Sequence, residues 1–163
     1  MAFGRLYEPA QSKQIAIISS EHQLIHDGRM FITGKIWESV GTTTNHLLFR
    51  TNGNYAHLRG VDVNNESDTL NIEIYENPTT SADGASLPIH NLNRSSVIKS
   101  ASSFFTGPTV SSNGNLIVAF SNFASSQNKT AGLGNDEGLV GLMIKPTIDY
   151  LLKANAASAT SLG

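Results

Sequence analysis

The stretch SEHQLIHDGRMFITG, residues 20–34, crowds Glu21, His22, His26 and Asp27 into a few positions. Imidazoles and carboxylates at this density are the ingredients of a metal site or an acid–base pair. His22 and His26 are four apart, a spacing that puts both on one face of a helix, where they could hold zinc. On a strand they would still share a face, but roughly 13 Å apart, too far for one ion. Gly28 interrupts a helix and the residues after it alternate, which favours the extended reading. Glu21 and His22 then end a loop, and Asp27-Gly28 makes a tight turn. A metal would also need a third ligand; His46, His57 and His90 exist, but nothing in their spacing brings them near. The stretch is expected to be structural, with no metal ligand and no catalytic residue.

Other candidates fare similarly. DVNNESD (62–68) carries oxygens at Asp62, Asn64, Glu66 and Asp68, like the start of a calcium loop. Such a loop wants Gly at its sixth position and Glu at its twelfth; Ser67 and Glu73 stand there. A polar hairpin connection is the expected reading. GLGNDEG (132–138) is no phosphate cradle, because G-x-x-x-x-G-K-[ST] is absent and its acids repel phosphate. No G-x-S-x-G occurs, and no base pairs with a serine. Trp37 and the tyrosines could line a sugar platform, yet a lone tryptophan on a strand is more often core or interface. The sequons at Asn65, Asn93 and Asn128 matter only for a secreted chain.

The elements that must position these residues follow from composition. The chain has 163 residues, no cysteine, a net charge of −2 and 15% charged residues. Disulfides and thiolate metal sites are excluded. No basic stripe suggests nucleic acid. Ile15–Ile18, the longest apolar run near the N-terminus, is too short for a signal-peptide core or a membrane span. A soluble protein made in the cytosol is expected. Ser, Thr, Asn and Gly dominate the polar positions and favour turns over helices.

Strand signals run at 13–19, 29–37, 45–51, 55–63, 69–76, 115–121, 139–146 and 148–154. TLNIEIYE (69–76) alternates most cleanly, with Leu70, Ile72 and Ile74 opposite Asn71, Glu73 and Tyr75. Asn52-Gly53 predicts a hairpin joining 45–51 to 55–63. NPTTSADGAS (77–86) reads as turn throughout. TIDYLLKANAAS (147–158) is the best helical candidate, and no internal repeat is evident. The expected fold is all-β: an antiparallel β-sandwich, jelly-roll-like, with an extended N-terminal arm. Residues 1–12 form the arm, 13–155 the sandwich domain and 156–163 a C-terminal tail.

Several stretches in order resemble a family of small virion proteins of tailed bacteriophages. They are EHQLIHDGRMF (21–31), YAHLRGVDV (55–63), IEIYENPTT (72–80), HNLNRSS (90–96) and NDEGLVGLMIKPTIDYLLKAN (135–155). Tyr55 stands where that family usually has tryptophan. The family typically closes with one more strand, where this chain reads AASATSLG, so the resemblance implies a sandwich with an open edge.

What the resemblance implies is a non-enzymatic β-sandwich that decorates or cements the phage head. It would bind the outer surface of the major capsid protein as a homo-oligomer, trimer or dimer, with no cofactor, nucleic acid or membrane partner. Its location would be the capsid surface of the virion, after synthesis in the host bacterial cytoplasm. Glu21, Ile25, His26, Gly28, His57, Asn93 and Arg94 recur in the resembled motifs and are expected to be structural. His26 and His57 would hydrogen-bond within a tight core, and Asn93-Arg94 would fix a loop. The alternative is a carbohydrate- or receptor-binding module of a head or tail fibre. A sugar hydrolase has the least support, since no carboxylate pair stands out.

Overall fold

A computed structural model of the chain describes residues 20–37, 44–53, 55–58, 62–65, 70–122, 129–132 and 142–156. The expected arm at 1–12, the strand at 13–19 and the tail beyond 156 lie outside these residues, as do Glu66, Ser67, Asp68 and 133–138. The elements in order are α1 (Ser20–His26), β1 (Phe31–Ile32), β2 (Asn45–Thr51), β3 (Ala56–Leu58), β4 (Asp62–Asn65), β5 (Leu70–Glu76), β6 (Thr79–Ala82) and β7 (Ala85–Leu87). Then follow β8 (His90–Asn91), β9 (Ser102–Thr106), β10 (Thr109–Ser112), β11 (Asn115–Asn122), β12 (Lys129–Gly132), β13 (Leu142–Ile144) and β14 (Asp149–Ala156). The protein is mostly β, and every strand pair is antiparallel.

The chain forms two compact units. The described part of the smaller is 20–33 with 89–100, and it holds α1 and the β1–β8 pair. The larger unit is a nested hairpin. Pairing runs inward as β2·β14, β3·β13, β4·β12, β5·β11, β6·β10 and β7·β9. The ribbon then closes on itself, because β14 also pairs with β5 and β2 also pairs with β9. A six-stranded sheet results, in the order β11-β5-β14-β2-β9-β7.

Two corners fold this ribbon. Asn77 (φ 57°) and Gly114 (φ 86°) sit at one, Gly84 (φ 89°) and Gly107 (φ 67°) at the other. A side chain at Gly84 would overlap the Thr106 carbonyl oxygen, and one at Gly114 would overlap that of Glu76. These matching environments expose a repeat that composition and spacing had hidden. Asn77-Pro-Thr-Thr-Ser-Ala-Asp-Gly84 and Gly107-Pro-Thr-Val-Ser-Ser-Asn-Gly114 share Pro, Thr, Ser and Gly at the same steps, 30 positions apart. The sheet order is a palindrome under the exchange of β5 with β9, β6 with β10, β7 with β11 and β14 with β2. Leu48 faces Leu151 across the pseudo-twofold axis, and Thr80 faces Val110.

Alternation then decides the layers. Phe49, Leu70, Ile72, Ile74, Tyr150, Leu152 and Ala154 point to one face and pack with Ile144, Leu58 and Leu142 of the β3–β13 ribbon. Phe49 stacks between Phe104 and Tyr150, at centroid distances of 5.3 and 5.4 Å. Leu48 and Leu151 point the other way and are also fully buried. Both corners of the β6–β10 crossing reach that second face, through Asp83 to Arg50 and through Asn113 to Tyr75.

Several expectations change. Residues 20–26 form a helix, because the Gly28 backbone at φ 67° supplies a C-terminal cap, with its N–H donating to the Ile25 carbonyl and that of Arg29 to Leu24. Residues 147–158 are not helical: Asp149–Ala156 is the central strand β14, since period-2 burial between two neighbours overrides a short helical spacing. The final described strand is therefore not at an edge. Asn52-Gly53 joins no hairpin; β2 pairs with β14 and β9, and the chain leaves for the other layer at β3. NPTTSADGAS is strand between two corners, not turn throughout.

Gly84→Ala and Gly114→Ala should each cost more than the roughly 1–2 kcal/mol of left-handed strain, because a backbone oxygen occupies the Cβ position. Gly107→Ala, whose Cβ meets nothing, should cost only that strain. Urea unfolding of the three variants reads the difference; equal losses would refute the corner geometry.

Candidate functional site

The second face of the sheet gathers partly exposed charge. Arg50 on β2 donates from Nη2 to Asp149 Oδ2 at 2.9 Å and to Asp83 Oδ1 at 2.9 Å, and from Nη1 to Asp83 Oδ2 at 3.1 Å. Its guanidinium lies 5.3 Å from the Phe105 ring centre. At the pseudo-equivalent position on β14, Lys153 Nζ donates to Glu73 Oε2 at 2.8 Å, which also accepts from Tyr75 Oη at 2.9 Å. The bond to Asp83, followed by the Asp149 and Asp83 charges, raises the Arg50 pKa against burial. The Lys153 and Tyr75 hydrogen bonds hold Glu73 below its ordinary value. On the opposite face Glu76 accepts from Lys145 at 2.7 Å and from Tyr150 at 3.2 Å, and is likewise lowered.

The chemistry open to these groups is narrow. Glu73 and Glu76 are three apart on a strand and face opposite layers, so they cannot serve one substrate as acid and base. Each is held ionised by a cation, and neither has a proton to give near neutrality. His46 on β2 lies across from Lys153. Burial and the Lys153 charge push its pKa down, and its Nε2 is buried without a partner, as a neutral imidazole tolerates.

A second constellation lies in the smaller unit and unites two of the quoted motifs. Asn91 Nδ2 donates to the Gly28 carbonyl at 2.8 Å and to that of Ile98 at 3.0 Å, while its Oδ1 accepts from Asn93 N. Asn93 Nδ2 donates to the His26 carbonyl at 3.0 Å and its Oδ1 accepts from Ser95 N. Ser96 Oγ accepts from Ile98 N. Gly28 is buried against Ser96, leaving no room for a side chain. HNLNRSS is thus a series of Asx turns that staples a loop to the end of α1. From this pinned backbone Val97 projects 93% exposed and Ile98 48% exposed, with Leu92 and Ile32 also exposed.

The sequence-predicted residues divide accordingly. Asn93 fixes its loop as expected, and Gly28 and His26 join it through backbone alone. The rings of His26 and His57 are exposed, so neither hydrogen-bonds in a tight core: one closes a surface helix and the other lies on the outer side of β3. His22, Asp27, His90 and Arg94 are exposed, and Ile25 is half-buried. Among the described residues no three His, Asp or Glu side chains converge on a metal position. Asp62 and Asn64 lie in strand β4 and Glu73 in β5, which rules out one calcium loop over 62–73. Trp37 packs against the core and Tyr150 is buried in it, whereas Tyr55 is 69% exposed and Tyr7 lies outside the described residues. The reasoning from sequence missed Arg50, Asp83 and Asp149; the single charge closing the apolar run of 45–51 was the available signal. No family model, curated protein or solved structure matches the chain.

A histidine held neutral stabilises the fold above its unfolded pKa, so stability should fall as pH drops below about 6.5. The lowered Glu73 and Glu76 add a second loss below about pH 4. Urea titrations across pH should show both, and His46→Gln should remove only the first. Asn91→Ala should remove the donor to the Gly28 and Ile98 carbonyls and loosen the stapled loop by roughly 0.5–1.5 kcal/mol per hydrogen bond lost. Faster amide exchange at Leu92, Ser96 and Ile98 reads this; His26→Ala should leave those amides unchanged.

Proposed function

We propose that this is a structural, non-enzymatic virion protein of a tailed bacteriophage that decorates or cements the outer capsid surface. The observation that carries the reading is the stapled loop: apolar side chains held in water on a backbone fixed by asparagine hydrogen bonds. Ordering such a surface in advance lowers the entropic cost of docking. Weak contacts of this kind become strong when repeated over a lattice. The major capsid protein is the proposed partner, and the virion surface the proposed location. The cross-strand ion pairs suit the same role, because they fix strand pairing without offering a reactive group. The nested hairpin of the larger unit supports the jelly-roll class expected for such a protein.

Quantitative mass spectrometry of purified virions from its source tests this. A copy number comparable to the major capsid protein is expected. Val97→Asp, at an exposed site, should lower that occupancy while leaving the melting temperature unchanged. A handful of copies would favour a fibre-borne receptor-binding module, and absence from virions would overturn both readings.

A further inference from the structure

The two edges of the six-stranded sheet are pseudo-equivalent yet treated differently. At one, β7 runs for three residues and ends at Pro88, which removes a backbone donor. At the other, the position 30 residues on is Val118, and β11 continues to Asn122. Among the described residues β11 pairs with β5 alone. Its sequence, NLIVAFSN, contains no charge and no proline. Leu116 is 54% exposed, Ile117 41%, and Ala119 and Ser121 are exposed too. Edge strands are ordinarily guarded by lysine, proline, bulges or brevity. β7 uses two of these; β11 has only the bulge between Leu116 and Val118.

We infer that β11 is the docking edge for a second copy of this chain, the two β11 strands pairing antiparallel about a twofold axis. The bulge confines the pairing to residues 118–122, whose centre is Phe120. A strand that meets itself about a twofold axis brings its central residue beside its own copy and the flanking residues near theirs, so a charge on it would lie within reach of the same charge. This strand carries none. The register sets Phe120 beside Phe120 of the second copy on the core-facing side, and Ala119 opposite Ser121. The row of free N–H and C=O groups on an antiparallel edge complements its own twofold image. The sheet's interior already follows this arrangement, with the pseudo-equivalent β2 and β14 paired about Leu48 and Leu151. Because the β7 edge is closed by Pro88, association stops at two copies instead of growing into a fibre.

This rests on the decoration reading, but it is tested in solution without virions, so its failure leaves the copy-number test untouched. Sedimentation equilibrium of the purified full chain over a wide concentration range should show a monomer–dimer equilibrium. Amides of β11 should exchange more slowly as concentration rises. Ala119→Lys should weaken the dimer by about tenfold or more, while Ser86→Lys on β7 should leave it unchanged. A monomer at every concentration would overturn the proposal. So would a dimer indifferent to Ala119→Lys, or one broken by Ser86→Lys; if Ala119→Lys unfolds, the concentration dependence of exchange in the native chain decides.

Discussion

The larger unit rests on one constraint: a long antiparallel ribbon must fold at two corners that only special backbone conformations can make. Asn77, Gly84, Gly107 and Gly114 all have positive φ, and two of the glycines sit where a carbonyl oxygen excludes any side chain. With the corners made, β7 is carried to one edge and β11 to the other. The β14–β2 pair then receives β5 and β9 on its two sides. Burial of Ile72, Ile74, Phe49 and Tyr150 comes after this topology, because their shared face exists only once β14 lies between β5 and β2.

That dependence shapes assembly. β14 pairs with β2 across about 100 positions of sequence, and the central pair cannot form until both ends of the ribbon are present. Long-range pairing of this kind folds slowly. The nested ribbon eases the search, since β7·β9 and β6·β10 are closer in sequence and their corner conformations are locally encoded. The cross-strand pairs Arg50–Asp149 and Lys153–Glu73 then fix the register of the central strands, where a one-residue slip would send charges into the apolar layer.

How much of this was legible varied with the kind of signal. β2 and β5 were readable almost to the residue, because a short apolar run in one and strict alternation in the other are local properties. β14 was readable as a strand and as the best helical candidate at once; only its two neighbours settle the matter. The segments 79–82 and 109–112 were hidden by composition, since Thr and Ser in a short exposed ribbon resemble turn residues. The repeat at 77–84 and 107–114 escaped notice because half of its positions differ while the backbone angles agree. α1 was missed because seven residues carry little periodicity and its stop signal, Gly28, was read as forbidding the helix it terminates. The asparagine staples were visible as a motif, but the carbonyls of Gly28 and His26 that they hold lie more than sixty residues away, which no local pattern specifies.

A pseudo-symmetric sheet has two matched edges, and matched open edges would polymerise. Breaking the symmetry at one edge is therefore a requirement of the architecture and not an ornament of the sequence. Pro88 after the three residues of β7, against the continuation of β11 to Asn122, makes that break. The same repeat places Arg50 and Lys153 at equivalent points but gives them different partners, Asp83 with Asp149 in one half and Glu73 in the other. Each half keeps the charge pair that fixes its strands, while the edges diverge. The parts of the repeat that hold the sheet together have stayed alike, and the parts that decide what the sheet meets outside itself have not.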